Sequence, residues 1–289
     1  MTRFLDRDTV YAALELAVRA PSVRNSQPWR FRVGRGSIDL YADATRLPAT
    51  DGRDLLISCG AALHHLRIGL TALGWLPATY RLPDPRRPDH LASIETVPRL
   101  PARADVTLAV SIPRRRTDRR AYGPLEVSGA RIAELTHLAG AEGAQLRVVH
   151  PGDARARLLS VLPDLHRSSV YALARAGPAL RRDHVESEED GVGTLLVLGM
   201  GADSRLAWLR AGEATSAVLL AATRRRLATC ALTEPLDTPG TRDLVRAGVL
   251  GGGSVPQLVL RVGWPADDPD PFPATGRRPI SDVVDWATG

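Results

Sequence analysis

Apolar positions first recur at helical spacing in residues 8–20, where Val10, Leu14, Ala17 and Val18 fall at i, i+4, i+7 and i+8. Asp6 or Asp8 can cap this stretch and Pro21 ends it. Residues 29–43, WRFRVGRGSIDLYAD, then alternate about a Gly-Arg-Gly turn, the period-2 signature of a hairpin. Residues 53–74 are apolar almost throughout and close at Gly74, so the pattern predicts a long, largely buried helix. Residues 105–112, DVTLAVSI, form a continuous apolar run between Pro101 and Pro113 and read as a strand.

The same programme then runs again. Residues 127–140 repeat the first helix and residues 144–149 repeat the strand that begins at Trp29. Residues 209–230 repeat the long buried helix, AGEATSAVLL echoing CGAALHHLRI, and residues 256–264 repeat the 105–112 strand. This predicts two halves, 1–112 and 113–289, with an exposed excursion at 151–192 that is a candidate lid.

Composition narrows the class. Hydrophobic residues are 44% and charged residues 24% of 289, an ordinary globular balance. The two cysteines, Cys59 and Cys230, are too few for a disulfide framework and read as buried apolar fillers. No apolar h-region opens the chain and no stretch approaches the ~20 residues needed to span a bilayer, so a cytoplasmic protein without membrane association is expected. The net charge of +6 suggests nucleic acid, but every basic residue is Arg, acids are interleaved, and aromatics are only 4%. Uniform Arg usage reads as compositional bias, and no nucleic-acid partner is expected.

The candidate chemistry lies in two complementary stretches. The first half carries PSVRNSQPW (21–29) between its helix and strand; the second lacks it but carries PRRRTDRRAYGPLEV (113–127) ahead of its helix. Each holds what the other lacks, as expected if one ligand site is assembled from both. Arg114, Arg115, Arg116, Arg119 and Arg120 around Thr117 form an anion trap suited to a phosphate monoester, with Arg277 and Arg278 as a second pair. The hydroxyl and amide donors of 21–27 suit a polyol or the edge of a heterocycle. A phosphate, a polyol and a flat ring together describe flavin mononucleotide, FMN. No GxGxxG or GxxxxGK[ST] loop stands in the required context. Ser22 with His64 or His65 lacks a GxSxG elbow, and both histidines read as structural.

APSVRNSQPWRF and RRTDRRAY with PLEV resemble the two signature stretches of the nitroreductase family of FMN oxidoreductases. RDLLISCGAALHHLR, LAWLRAGEATSAVLLAAT, TCALTEPLD, PQLVLRVGWP and RRPISDVV are similar, more narrowly, to its Acg-type members, in which one chain carries two nitroreductase-like halves. The resemblance implies an α+β nitroreductase-like fold: two fused half-repeats forming an internal pseudo-dimer, with central antiparallel or mixed sheets flanked by helices. It implies a phosphate-and-ribityl motif at Arg115, Arg116 and Thr117, and a cation beside the pyrimidine edge, catalytic in role, at Arg119. It further implies a ring- and ribityl-contacting segment at Pro21, Ser22, Val23 and Asn25, and phosphate ligands at Arg277 and Arg278. The loop under the reactive nitrogen falls on Leu232, Thr233, Glu234 and Pro235; a position often Gly is here Pro235, so a main-chain donor must come from Thr233 or Glu234.

The implied activity is hydride transfer from NAD(P)H to FMN and on to a nitroaromatic, quinone or conjugated small-molecule acceptor, with no metal. The alternatives are an FMN-sequestering protein with little turnover, or a flavin-dependent dehydrogenase of a specialised metabolite. A monomer could be complete, and a homodimer is not ruled out.

Overall fold

The computed structural model describes residues 5–48, 52–161, 191–238, 240–265 and 274–287. The candidate lid at 151–192 therefore lies, apart from its two ends, outside the described residues. Packing groups the chain into two compact units: unit 1 holds Met1–Arg115, Asp203–Leu220 and Thr275–Gly289, and unit 2 holds Arg116–Ala202 and Ala221–Ala274. The expected halves split the chain at one point, whereas these units interleave two returning segments.

In unit 1, α1 (Arg7–Ala17) starts at Asp6, whose carboxylate accepts the Thr9 N–H at 2.7 Å and the Thr9 hydroxyl at 2.9 Å. Its Val10, Ala13, Leu14 and Ala17 are buried. β1 (Trp29–Val33) and β2 (Ile38–Ala42) make the expected hairpin, with Phe31 opposite Leu40 and with Trp29, Phe31 and Val33 buried between outward Arg30 and Arg32. α2 (Gly52–Ala72) is the core helix. It is long and apolar enough to cross a bilayer, contrary to the sequence reading, and its apolar length serves burial within unit 1 instead.

Two strands the pattern does not announce, β3 (Trp75–Arg81) and β4 (His90–Pro98), pair antiparallel and extend the hairpin. β9 (Val284–Trp286) pairs parallel with β1 on the far side, giving a mixed sheet in the order β3-β4-β2-β1-β9.

One expected strand is a helix. Residues 105–112 lie mostly in α3 (Arg103–Ser111), because the Asp105 carboxylate accepts the Ala102 N–H at 2.8 Å and the Arg99 guanidinium at 2.7 Å, capping a helical first turn. A short apolar run cannot tell helix from strand by periodicity alone.

Unit 2 contains α4 (Gly129–Ala141), β5 (Gln145–Val148), α5 (Asp153–Ser160), β6 (Thr194–Met200), β7 (Ala228–Leu232), α7 (Thr241–Gly248) and β8 (Val255–Gly263). α6 (Arg205–Arg224) runs from unit 1 into unit 2. It is shorter than the 209–230 helix expected. Arg226 adopts φ 60°, and the N–H groups of Arg226 and Leu227 donate back to the Thr223 and Ala222 carbonyls at 3.0 Å each. This is a helix stop normally marked by Gly, and no Gly stands here to announce it.

The sheet of unit 2 runs β5-β6-β8-β7, antiparallel throughout. Set beside β1-β2-β4-β3, the ladder is the same, strand for strand. Both copies break register late in the second strand, at Leu40/Tyr41 and at Leu198/Gly199. The protein is thus an α+β chain of two fused repeats, and the counterpart of β8 is β4 rather than residues 105–112.

Within unit 1 the two long helices meet reciprocally. A Cβ on Gly60 would lie 1.9 Å from the Leu209 carbonyl oxygen, and one on Gly212 would lie 2.0 Å from that of Ile57. Each glycine faces the residue three before the other, the contact pattern of a two-fold interface. One turn on, His64 Nδ1 and Ser216 Oγ are 2.9 Å apart.

Candidate functional site

Unit 1 contains Pro21, Ser22, Val23, Asn25, Arg115, Arg277 and Arg278; unit 2 contains Arg116, Thr117, Arg119, Thr233 and Glu234. The two sets are built differently.

The polar turn after α1 holds three non-glycine residues in the left-handed region: Arg24 (φ 49°), Asn25 (φ 55°) and Gln27 (φ 50°). Such a cluster persists only where its surroundings over-determine it. Ser22 Oγ accepts the Gln27 N–H at 3.0 Å, and the Val23 N–H donates to Ser58 Oγ of α2 at 3.2 Å. The C-terminal segment adds the rest. Asn25 Nδ2 donates to the Gly276 carbonyl and its Oδ1 accepts from Arg277 Nη1, both at 3.1 Å. The Arg278 N–H donates to Gln27 Oε1 at 2.8 Å, and Arg278 Nη1 donates to the Gln27 carbonyl at 3.3 Å.

Arg277 Nη2 also donates to the Arg19 and Ala20 carbonyls at 3.2 and 3.4 Å. Both C-terminal arginines therefore spend donors on main chain and on the turn itself. Structure brings Asn25 and Arg277 into direct contact, and Arg278 onto Gln27, a residue the sequence reading did not single out.

Beneath the turn, His64 and His65 are buried in α2. Burial first, then the Arg67 charge, holds the His64 proton affinity down at about 3. His65 is likewise held well below the usual imidazole value, by burial and then by the buried Arg115. Its Nδ1 lies 3.2 Å from the Leu16 carbonyl, so that nitrogen carries the hydrogen, and Nε2 has no partner among the described residues. Burial thus keeps both imidazoles neutral.

In unit 2 the basic loop is threaded through the core. The Asp118 N–H donates to the Thr229 carbonyl of β7 at 2.9 Å, and the Tyr122 hydroxyl donates to the Asp118 carbonyl at 2.9 Å. The Asp118 carboxylate takes Arg120, with Nη2 at 3.0 Å and Nε at 3.2 Å, so Arg120 is neutralised within the loop. Arg119 differs. It is exposed, and no side-chain hydrogen bond or ion pair engages its guanidinium among the described residues.

What holds Arg119 is its main chain. Arg261 of β8, 1% exposed, donates from Nε to Val192 O at 3.0 Å and from Nη2 to Gly191 O at 3.0 Å and Arg120 O at 3.2 Å. Its Nη1 reaches Arg119 O at 3.5 Å, the longest of the set, and the guanidinium stacks 4.2 Å from the Tyr122 ring centroid. A Cβ at Gly193 or Gly263 would lie 2.6 Å from that ring, so both positions make room for it.

The charges of Arg119, Arg261, Glu234 and Asp118 all act on the thiol of Cys230. Burial pushes its thiol and that of Cys59 up, so neither is a thiolate nucleophile. The Thr233 N–H donates to the Glu234 carboxylate at 3.2 Å. Of the two main-chain donors named for this loop, Glu234 is the one left uncommitted among the described residues.

Arg261 and Tyr122 anchor this loop, and the sequence reading singled out neither. The signal was one charged residue inside the apolar run PQLVLRVGW, because a buried strand keeps an unpaired cation only where carbonyls receive it.

No family model matches the chain. A Mycobacterium tuberculosis H37Rv protein provisionally named NAD(P)H nitroreductase Rv3131 is 43% identical over 321 residues, covering 99% of this chain and 93% of the relative. The Acg protein of the same organism, likewise provisionally named an NAD(P)H nitroreductase, is 34% identical over 325 residues, covering 96% and 95%. A solved structure from Anabaena variabilis, provisionally titled a nitroreductase, aligns over 91% of this chain and 90% of its own with a TM-score of 0.58 at 9% identity, a likeness of fold.

Proposed function

From the chain's membership of the nitroreductase family to which Rv3131 and Acg belong, we propose that it is an FMN-dependent oxidoreductase that uses NAD(P)H to reduce a small nitroaromatic, quinone or conjugated acceptor. The donor set fits FMN. The loop at 115–119 offers guanidinium groups and a hydroxyl for a phosphate and ribityl chain, and the turn at 21–25 offers hydroxyl and amide groups. FMN, when bound, accepts hydride from a nicotinamide and passes electrons to the acceptor.

This chain's residues divide the remaining work. Arg115, Arg116 and Thr117 take the phosphate end. Pro21, Ser22, Val23 and Asn25 border the ribityl chain and ring, with Arg277 and Arg278 contributing through the turn they already grip. Arg119 supplies positive charge to the ring edge where negative charge accumulates on reduction, and Glu234 supplies the main-chain donor that Pro235 cannot.

The observation that carries this reading is the uncommitted Arg119 guanidinium on a main chain clamped by Arg261. The purified protein should be yellow, and anaerobic NADPH or NADH should bleach its visible flavin band. Arg119→Ala should retain flavin and slow that bleaching roughly 10- to 100-fold, the worth of one charge-assisted contact. A yellow protein that neither nicotinamide bleaches is a sequestering protein. A colourless one that refuses added FMN overturns the reading altogether.

A further inference from the structure

Among the described residues Arg261 has no carboxylate partner in its hydrogen-bond set: all four acceptors are main-chain carbonyls. Two belong to Arg119 and Arg120 and two to Gly191 and Val192, so one planar fork joins the basic loop to the segment leading into β6. An ammonium on a flexible stem could not span that set, since the acceptors are met from Nε, Nη1 and Nη2 together. The Tyr122 ring covers one face of the guanidinium, and the Tyr122 hydroxyl and N–H fix the same loop again, through Asp118 O and Gly191 O. The charges of Tyr122, Cys230 and Asp118 act on Arg261. None of them substitutes for its donors.

We propose that Arg261 is a positioning residue for the flavin site. It fixes the carbonyl of the Arg119–Arg120 peptide and the Arg120 carbonyl that follows it, so that the Arg119 side chain leaves the loop in one direction, and it acts on FMN through Arg119 rather than by contact. The flavin half of this inference rests on the function proposed above; the loop half does not.

The test is a double-mutant cycle with two readouts on the full chain: the FMN dissociation constant by fluorescence quenching, and amide hydrogen exchange without flavin. Arg261→Lys keeps charge and bulk but loses the fork. It should weaken FMN about 10-fold, as should Arg119→Ala, and the double variant should be no weaker than the weaker single, because the two substitutions remove one effect. Additive losses would overturn the proposal. Exchange at the Asp118, Tyr122 and Gly123 amides should rise in Arg261→Lys while the β6 and β8 ladder stays protected. Unchanged loop protection overturns the proposal even if FMN is not the ligand. Failure of the native chain to bind FMN, with the loop loosened as expected, removes the proposed function and the flavin half while leaving Arg261 as the loop's anchor.

Discussion

The two units contain one antiparallel ladder built twice, yet each fastens its functional loop from a different side. In unit 1 the polar turn is gripped from outside by Arg277 and Arg278, both partly exposed and carried on the segment that also adds β9 to the sheet edge. In unit 2 the basic loop is gripped from inside by Arg261, in the middle of the ladder. Water can stand in for a surface guanidinium at a carbonyl, whereas nothing replaces a buried one. The comparison therefore predicts that water makes good much of what the unit 1 turn loses with its clamp and little of what the unit 2 loop loses with its own.

The strongest challenge to the repeat is the helix crossing. Alanine normally stabilises a helix interior over glycine by about 1 kcal/mol. Here a Cβ at Gly60 or Gly212 would sit about 2 Å from the facing backbone oxygen, which no side-chain rearrangement relieves. Gly60→Ala and Gly212→Ala should each cost about 4 kcal/mol or more, and by nearly equal amounts, in urea denaturation. If one is tolerated and the other is not, the reciprocity is only apparent.

Next in size is a place where the copies differ. Glu213 occupies the position that Ala61 holds in α2 and is fully buried. Its Oε1 accepts Arg67 Nη1 at 2.7 Å, and Arg81 grips both oxygens at 2.7 and 2.8 Å. Glu213→Gln leaves two arginines short of their partner. Because both arginine side chains retain some access to water, the loss should be about 3 kcal/mol, at the low end for a broken buried pair. A change below ~1 kcal/mol in the same denaturation assay would mean that the triad is not holding β3 to the helix pair.

What could be read from the chain follows the same division. α1, the β1–β2 hairpin, α2 and β8 announce themselves because their apolar spacing matches their burial. α3 was misread because Asp105, not periodicity, makes it a helix, and α6 was overrun because Arg226 closes it in a conformation that only Gly would have advertised. The β3–β4 hairpin stayed silent with Pro77 and Pro98 inside it, residues that ordinarily argue against a strand. Of the candidate site, residue types at 21–25 and 115–119 were legible because donors and cations stand together in sequence. The clamps were not, since Arg261 and Arg277 reach their loops across more than a hundred residues.

The smallest effect sharpens the comparison most. Arg277→Ala removes donors from Asn25 Oδ1 and from the Thr275, Gly276, Arg19 and Ala20 carbonyls; the bonds to Thr275, Gly276 and Arg19 are exposed, so water replaces much of what is lost. Global stability should fall by only about 1–2 kcal/mol. The turn itself has more to lose, because three residues with φ near +50° were held there by contacts now reduced in number. Exchange at the Ser26 and Gln27 amides should therefore rise well beyond what the global loss accounts for, with β1 and β2 still protected. If protection falls evenly across unit 1 instead, Arg277 is part of the core fastening, and the contrast between a loop held from outside and one held from within no longer stands.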